Sequence, residues 1–229
     1  MKTWTGIAGM MLAFTVVQGQ PTDTLRGVEV GLYLSGYSYA GEYTDPGAYN
    51  RRVYPGGAFY IQQVGTRRLR MQACGVFGQF ADQYDNLEPP PQPGVSIPTF
   101  IITRIVAGDL RLQYRPLPGL RVQPWISAGA GLIYFSPRDK NGRKLADNTN
   151  TRPDGTSYNT VIPQIPLSGG VYARINRHLN LGLGYTFRFI PSDYLDNSGA
   201  GLAGFDQLHA LQAGLDIWIM PPPPPTPVR

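Results

Sequence analysis

The sequence predicts an all-β protein: an eight-stranded antiparallel up-and-down transmembrane β-barrel with short periplasmic turns and long outer loops. Three observations predict it: composition, alternation of apolar with small or polar residues, and connections that alternate in length. Glycine (28), proline (22) and tyrosine (14) are abundant among the 229 residues, whereas charged residues make up 15 %. This composition is typical of strands and turns and argues against a helical bundle.

The N-terminal segment is predicted to be a cleaved secretory signal peptide. Lys2 is followed by an uncharged, mostly apolar run from Gly6 to Val17, which is too short to span a bilayer as a helix. Val17 and Gly19 stand at the two positions where signal peptidase selects small side chains. The alternative, a buried N-terminal strand or helix, fits this pattern less well. Sec export and a mature chain starting near Gln20 are therefore expected.

Alternation is clearest in residues 179–189, where Leu, Leu, Leu, Tyr, Phe and Phe alternate with Asn, Gly, Gly, Thr and Arg. Successive side chains of a strand point to opposite faces, so one face here is apolar and the other small or polar. The pattern recurs in segments that begin at Val28, Arg68, Val106, Ser127, Ile165 and Leu211. The stretch 57–64 alternates poorly and is assigned as a strand mainly because its neighbours require one.

The connections between these segments alternate strictly in length. Long ones are expected at 41–56, 82–98, 136–162 and 191–204, and short ones at 65–67, 115–119 and 176–178. Short turns on one rim and long loops on the other are typical of outer-membrane barrels, with both termini in the periplasm. A soluble β-sandwich, the alternative, has no reason to alternate its loops so regularly. The apolar faces are therefore expected to meet the lipid of a bacterial outer membrane.

Aromatic residues stand near several strand ends, where membrane barrels carry interfacial girdles. The expected members of these girdles are Tyr114, Tyr134, Phe135, Phe189 and Trp218.

The opposite, inward faces carry ionisable side chains. The expected lumen charge network comprises Glu29, Arg70, Asp109, Arg111, Arg174, Arg188 and Asp216. The interior of an eight-stranded barrel is only wide enough for side chains to fill it, so these charges are expected to pair across the lumen. A salt-bridged plug is favoured over a gated pore or ligand site, and a narrow passive channel is disfavoured.

Motifs of catalysis are not found in the sequence. It has two histidines, His178 and His209, but no nucleophile elbow, zinc-protease motif or phosphate-binding loop. Lone Cys74 excludes an internal disulfide and a cysteine-based metal cluster. The Asp- and Asn-rich stretch 139–154 lacks EF-hand spacing, and turn formation explains it better than calcium. The net charge of +5 is spread along the chain, which argues against a nucleic-acid partner. A non-enzymatic protein without cofactor or metal is expected.

The C-terminal segment 221–229 opens with five prolines, which cannot pair in a sheet and favour an extended polyproline rod. It is predicted to be a periplasmic spacer, and a docking role is less favoured than a simple end to the last strand. The chain therefore divides into a signal peptide (1–19), a barrel (20–220) and this tail (221–229).

Three parts of the sequence resemble one known family. They are residues 124–137, residues 164–171 with 179–185, and residues 191–198. Together they resemble the Bacteroidota outer-membrane barrels of DUF6089 type, a group that includes the PorG-like small barrel of type IX secretion and gliding. The most specific element is the run Asp193, Tyr194, Leu195 and Asp196.

The resemblance implies a non-enzymatic accessory barrel that contacts periplasmic secretion-ring proteins and serves type IX protein secretion or envelope organisation. An alternative from a different class is a surface-binding or adhesion barrel, whose long outer loops meet an external ligand.

Overall fold

A computed structural model of the chain describes residues 27–40, 53–83, 98–152, 155–197 and 205–220. The predicted signal peptide and the proline-rich tail lie outside these described residues. Within them, no helix has both the length and the apolar character needed to cross a membrane.

Eight antiparallel strands close into a barrel, as the sequence predicted. In chain order they are β1 (Val28–Ala40), β2 (Tyr54–Val64), β3 (Leu69–Gln83), β4 (Phe100–Tyr114), β5 (Val122–Asp139), β6 (Val161–Arg174), β7 (Leu179–Ile190) and β8 (Asp206–Met220). Each strand pairs with the next, and β8 pairs with β1, so the sheet has no open edge.

Strand β2, which the sequence supported least, is paired along its length with β1 and with β3. Tyr60, Gln62 and Val64 point inward and are buried, whereas Phe59 and Ile61 point outward and are exposed. Its alternation is hard to recognise because the inner face mixes an aromatic, an amide and an aliphatic side chain. All three kinds of side chain pack in the filled lumen.

The three short connections, 65–68, 115–121 and 175–178, lie at the end where β1 begins and β8 finishes. The strand ends that the long connections join lie at the opposite rim, which is the predicted rhythm. The expected loop 136–162 is shorter at its start than predicted, because residues 136–139 continue β5 and pair with residues 101–104 of β4. This rim of the wall is therefore taller than the alternation suggested.

Glycines on the inner face make room for tyrosines in the lumen. A Cβ at Gly182 would overlap the hydroxyl of Tyr33, and a Cβ at Gly31 would overlap the ring of Tyr60. The glycine-rich inner faces of the strands are therefore the complement of large side chains that cross the barrel.

Candidate functional site

The outer surface of the barrel is an apolar band. On β7 the outward residues run from Leu179 to Phe189, ten residue steps along the strand. At a rise of about 3.3 Å and a tilt of about 40°, this run is about 25 Å tall, which is the height of the apolar band of membrane barrels. Exposed apolar side chains on the other strands include Leu32, Leu34, Ile61, Met71, Phe77, Val106, Leu112, Ile126, Leu132, Ile165, Leu167, Leu211, Leu215 and Ile217. Soluble monomers rarely expose so continuous a surface.

At the short-turn end of the lumen, the carboxylate of Glu29 is fully buried. It accepts hydrogen bonds from side chains on four other parts of the wall. Arg70 Nη1 lies 2.5 Å and Arg115 Nη2 3.4 Å from its Oε2 atom. Asn180 Nδ2 donates to Oε1 at 2.8 Å, and the amide of Gln62 donates to Oε2. The cluster ties β1, β2, β3, the turn after β4, and β7 together across the lumen.

Asp216 does not pair with an arginine among the described residues; it accepts hydrogen bonds from tyrosines instead. Tyr33 Oη donates to its Oδ2 at 2.7 Å, and Tyr60 Oη donates to its Oδ1. The Tyr60 and Tyr172 hydroxyls lie 3.1 Å apart, and Gln113 Nε2 donates to Tyr172 at 3.2 Å. Buried hydroxyls therefore supply the polar partners that arginines were expected to supply.

A second charged cluster surrounds Asp109 in the middle of the lumen. Arg188 Nη1 donates to Oδ2 at 2.7 Å, and the guanidinium of Arg111 pairs with both carboxylate oxygens. Arg111 also donates to Ser168 at 2.9 Å. From Ser168, hydrogen bonds continue around the inner wall, strand by strand, through Thr186, Gln212 and Ser35. Polar contacts at this level therefore join β4 to β6 and β7 across the lumen and link β6, β7, β8 and β1 along the wall.

One member of the predicted network lies elsewhere, and one true member was missed. Arg174 is exposed at the short-turn rim, where its Nη2 donates to the carbonyl of Pro118 at 3.2 Å. It stands at the last position of β6, so its side chain reaches the rim instead of the lumen. The missed residue is Arg115, which follows Asp109, Arg111 and Gln113 in the inward register of β4 and is buried. Continuing that alternation by two residues finds it.

Two of the aromatic residues expected in the interfacial girdles point inward instead. Phe135 is fully buried in the core, and the guanidinium of Arg70 lies 4.9 Å from the centroid of the Trp218 ring. Both belong to the inward register of their strands, where Trp218 pairs with Glu29 of β1 and Phe135 pairs with Ile105 of β4. Tyr114 and Tyr134 are exposed on the outer face, as expected.

The segment 191–197, which carries the family-like run, folds over the outer mouth of the barrel. Leu195 is fully buried in the core cluster together with Ile190 and Leu208. Its N–H donates to Asp206 Oδ2 at 2.9 Å, and its carbonyl accepts from Thr103 Oγ1 at 2.6 Å. The backbone of this segment therefore bonds to two different strands and holds an apolar side chain in the mouth.

The neighbouring residues of this segment bind the loop after β5. The Tyr194 ring stacks on Tyr158 at 4.7 Å between centroids, and Tyr158 stacks on Phe135 at 5.7 Å. Asn197 adopts φ +65°, a left-handed conformation that asparagine tolerates, and its Nδ2 donates to the Thr151 carbonyl at 3.1 Å. Burial raises the pKa of the Tyr158 phenol, so it stays protonated and donates to Asn197 Oδ1. Asp196 is buried beside them and Asp193 is half-buried.

The remaining candidates for chemistry do not form a reactive site. His209 Nδ1 is hydrogen-bonded to the Tyr185 hydroxyl on the outer face of the wall. Asp139 Oδ1 accepts the backbone N–H groups of Asn141 and Arg143, which is the turn-forming role favoured over calcium. In the parts of the chain that the structure describes, no group of three His, Cys, Asp or Glu side chains could hold a metal ion.

Similar proteins were found by structure but not by sequence. No known family matches the sequence, and no curated protein is similar to it in sequence. Neisserial surface protein A has a TM-score of 0.50 and 11 % identity, with 83 % of this chain and 96 % of that chain covered. The fold is that of the small outer-membrane β-barrels. The DUF6089 assignment is not confirmed by these comparisons and stays a prediction.

Two further solved structures are similar to a lesser degree. The attachment invasion locus protein Ail of Yersinia pestis, in complex with the heparin analogue sucrose octasulfate, has a TM-score of 0.46 and 8 % identity, with 86 % of this chain and 100 % of that chain covered. OprG of Pseudomonas aeruginosa has a TM-score of 0.46 and 10 % identity, with coverages of 86 % and 98 %.

Proposed function

We propose that this chain is a non-enzymatic β-barrel of the bacterial outer membrane that acts as a closed scaffold and not as a channel. The observation that carries the proposal is the filled lumen. Glu29 and Asp109 each pair with two arginines, and tyrosines occupy the space between these two clusters. A water-filled path would have to displace contacts that join opposite walls.

The membrane location is supported by the outer surface. The band is apolar on all eight strands, and its height of about 25 Å matches a bilayer core that strands can cross. Export by the segment 1–19, with cleavage before Gln20, belongs to the same proposal.

Two measurements test the closed barrel. The mature protein is expected to need detergent or lipid, to show heat-modifiable mobility in electrophoresis, and to give no steady conductance in a planar bilayer. Steady conductance in proportion to the amount of inserted protein would refute the closed lumen. A protein that stayed soluble without detergent and showed no heat-modifiable mobility would refute the membrane location.

The finer part of the proposal is an accessory role in type IX protein secretion or envelope organisation, with periplasmic secretion-ring proteins as partners. It is supported by the sequence resemblance, above all by residues 193–196. The short-turn rim, with exposed Arg67, Arg68 and Arg177, is the surface that would face the periplasm.

A pull-down from solubilised outer membranes tests this role, with a version of the chain cut after Met220 as the matched variant. Recovery of ring proteins by the full chain supports the scaffold role, and their loss in the cut version assigns the contact to the tail. Recovery of no ring component by either version refutes the secretion role but leaves the closed barrel standing.

The alternative, a surface-binding barrel, is supported by the ordered loops at the outer mouth. The loop after β5 and the segment 191–197 hold each other through Tyr158, Tyr194 and Asn197. A surface held in one conformation binds a ligand with a smaller entropic cost than mobile loops do.

A further inference from the structure

A cleft of about 450 Å³ opens at the outer rim, between the start of β4 and the loop that follows β5. One wall is formed by Pro98, Thr99 and Phe100. The other wall is formed by residues of the loop between Asp139 and Thr151. This volume lies within the range of about 300–1,000 Å³ that is usual for small-ligand sites.

The charge of the cleft is positive. Lys140, Arg143 and Lys144 are exposed and line it together with one carboxylate, Asp139, which gives three positive charges against one negative charge. None of the three cations forms an ion pair with a described residue. The single carboxylate is already engaged, because its Oδ1 accepts the N–H groups of Asn141 and Arg143 at 2.9 and 2.8 Å.

The loop that carries these cations is held in one shape. Arg152 is fully buried, and its Nη2 donates to the carbonyls of Leu145, Ala146 and Asn148 at 3.2, 2.8 and 3.2 Å. Leu145 packs against Ile101 in a small core of its own. Binding an anion here would therefore cost little further ordering of the backbone.

The neutral lining residues narrow the class of anion. Asn141, Asn148 and Asn150 offer side-chain amides, which can both donate to and accept from sugar hydroxyls. Lysine and arginine are the side chains that recognise phosphate groups. We propose that this cleft binds a phosphorylated saccharide, with the amides on the sugar and the three cations on its phosphates.

The position of the cleft suggests a lipid as one source of such a group. Arg104 is exposed on the outward face of β4, one outward position beyond Val106, at the outer edge of the apolar band. The cleft begins four residues further along the same strand, at Phe100. A phosphorylated glycolipid of the outer leaflet would thus bring its headgroup to this level, an argument that rests on the proposed membrane location.

The test is an equilibrium titration of the mature barrel, folded in a neutral detergent, with two probes. Glucose 1,6-bisphosphate represents the soluble source and bisphosphorylated lipid A the lipid source, and unphosphorylated glucose is the reference. The variant K140Q/R143Q/K144Q removes the cations of the cleft. The matched control R67Q/R68Q/R177Q removes three exposed cations at the opposite rim.

Saturable binding of either bisphosphate, but not of glucose, is expected, with affinity at least about tenfold lower in the cleft variant and unchanged in the control. Binding of lipid A alone assigns the site to a lipid headgroup; binding of the sugar bisphosphate in solution assigns it to a free saccharide. Absence of saturable binding to both probes, or an equal loss in the control variant, overturns the proposal. Heat-modifiable mobility is recorded for every variant, so a failure of the barrel itself is seen separately.

Discussion

Replacing Glu29 by glutamine removes one negative charge from the short-turn end of the lumen and changes almost nothing in volume. In the native barrel this carboxylate lies 2.5 Å from Arg70 and 3.4 Å from Arg115, and it also accepts from Asn180 at 2.8 Å. The amide that replaces the carboxylate would keep one oxygen acceptor but turn an N–H group toward donors. Two buried guanidinium groups would then lose their shared counter-charge.

The cost follows from the burial of this cluster. Glu29 is 0 % and Arg115 1 % exposed, so water does not replace the lost partner. Removing one partner from a buried ion pair destabilises a protein by about 3–5 kcal/mol, because an uncompensated charge remains inside. We expect the Glu29→Gln variant to unfold with a free energy lower by about this amount.

The assay is urea unfolding of the barrel in lipid vesicles, followed by heat-modifiable mobility. Asp147→Asn is the matched control, because Asp147 is exposed in an outer loop and its loss of charge should cost almost nothing. The double variant Glu29→Gln/Arg70→Gln should recover part of the lost stability, since it removes one of the unpaired cations. If Glu29→Gln costs less than about 1 kcal/mol, the cluster does not hold the lumen closed and the reasoning is wrong.

Three further predictions concern single positions. Gly182→Val should prevent the heat-modifiable folded form, because its side chain would overlap Tyr33 in the lumen; a normally folded variant would contradict this packing. Leu195→Ala should cost about 2–4 kcal/mol and speed protease cleavage at the outer mouth, whereas Leu117→Ala in an exposed turn should do neither. Leu183→Arg, on the outer face, should cost about 2–4 kcal/mol in vesicle unfolding experiments if that face meets lipid, and close to nothing if it meets water.

The faces of the strands and the rhythm of the connections could be predicted from the sequence, because both are local. Side chains alternate with a period of two in any strand, so residues 179–189 reveal their apolar face without knowledge of their neighbours. The length of each connection is likewise the number of residues between two predicted strands, which the sequence shows directly. Local patterns were weakest for β2, whose inner face carries Tyr60 beside Gln62.

Contacts across the lumen could not be predicted in this way. Alternation shows that Glu29, Asp109 and Asp216 point inward, but the choice of partners depends on the height of each residue in a closed, staggered barrel. That geometry places Arg115 beside Glu29 and Arg174 at the rim. It gives Asp216 tyrosine hydroxyls as hydrogen-bond donors.

The sequence by itself therefore determined a barrel with an apolar outside and a charged, crowded inside. Only the tertiary structure decided which partners the buried polar groups of the lumen bond to and which segment covers the outer mouth. Leu195 is buried because residues 191–197 bond both to β8, which follows shortly in the chain, and to Thr103 of β4, 92 residues away from Leu195. The basic cleft likewise exists only because the loop after β5 is held against the start of β4. The contacts of Leu195 with β4 depend on the closure of the wall, and the cleft depends on how a long loop folds back onto its own hairpin. Local patterns in the sequence contain neither.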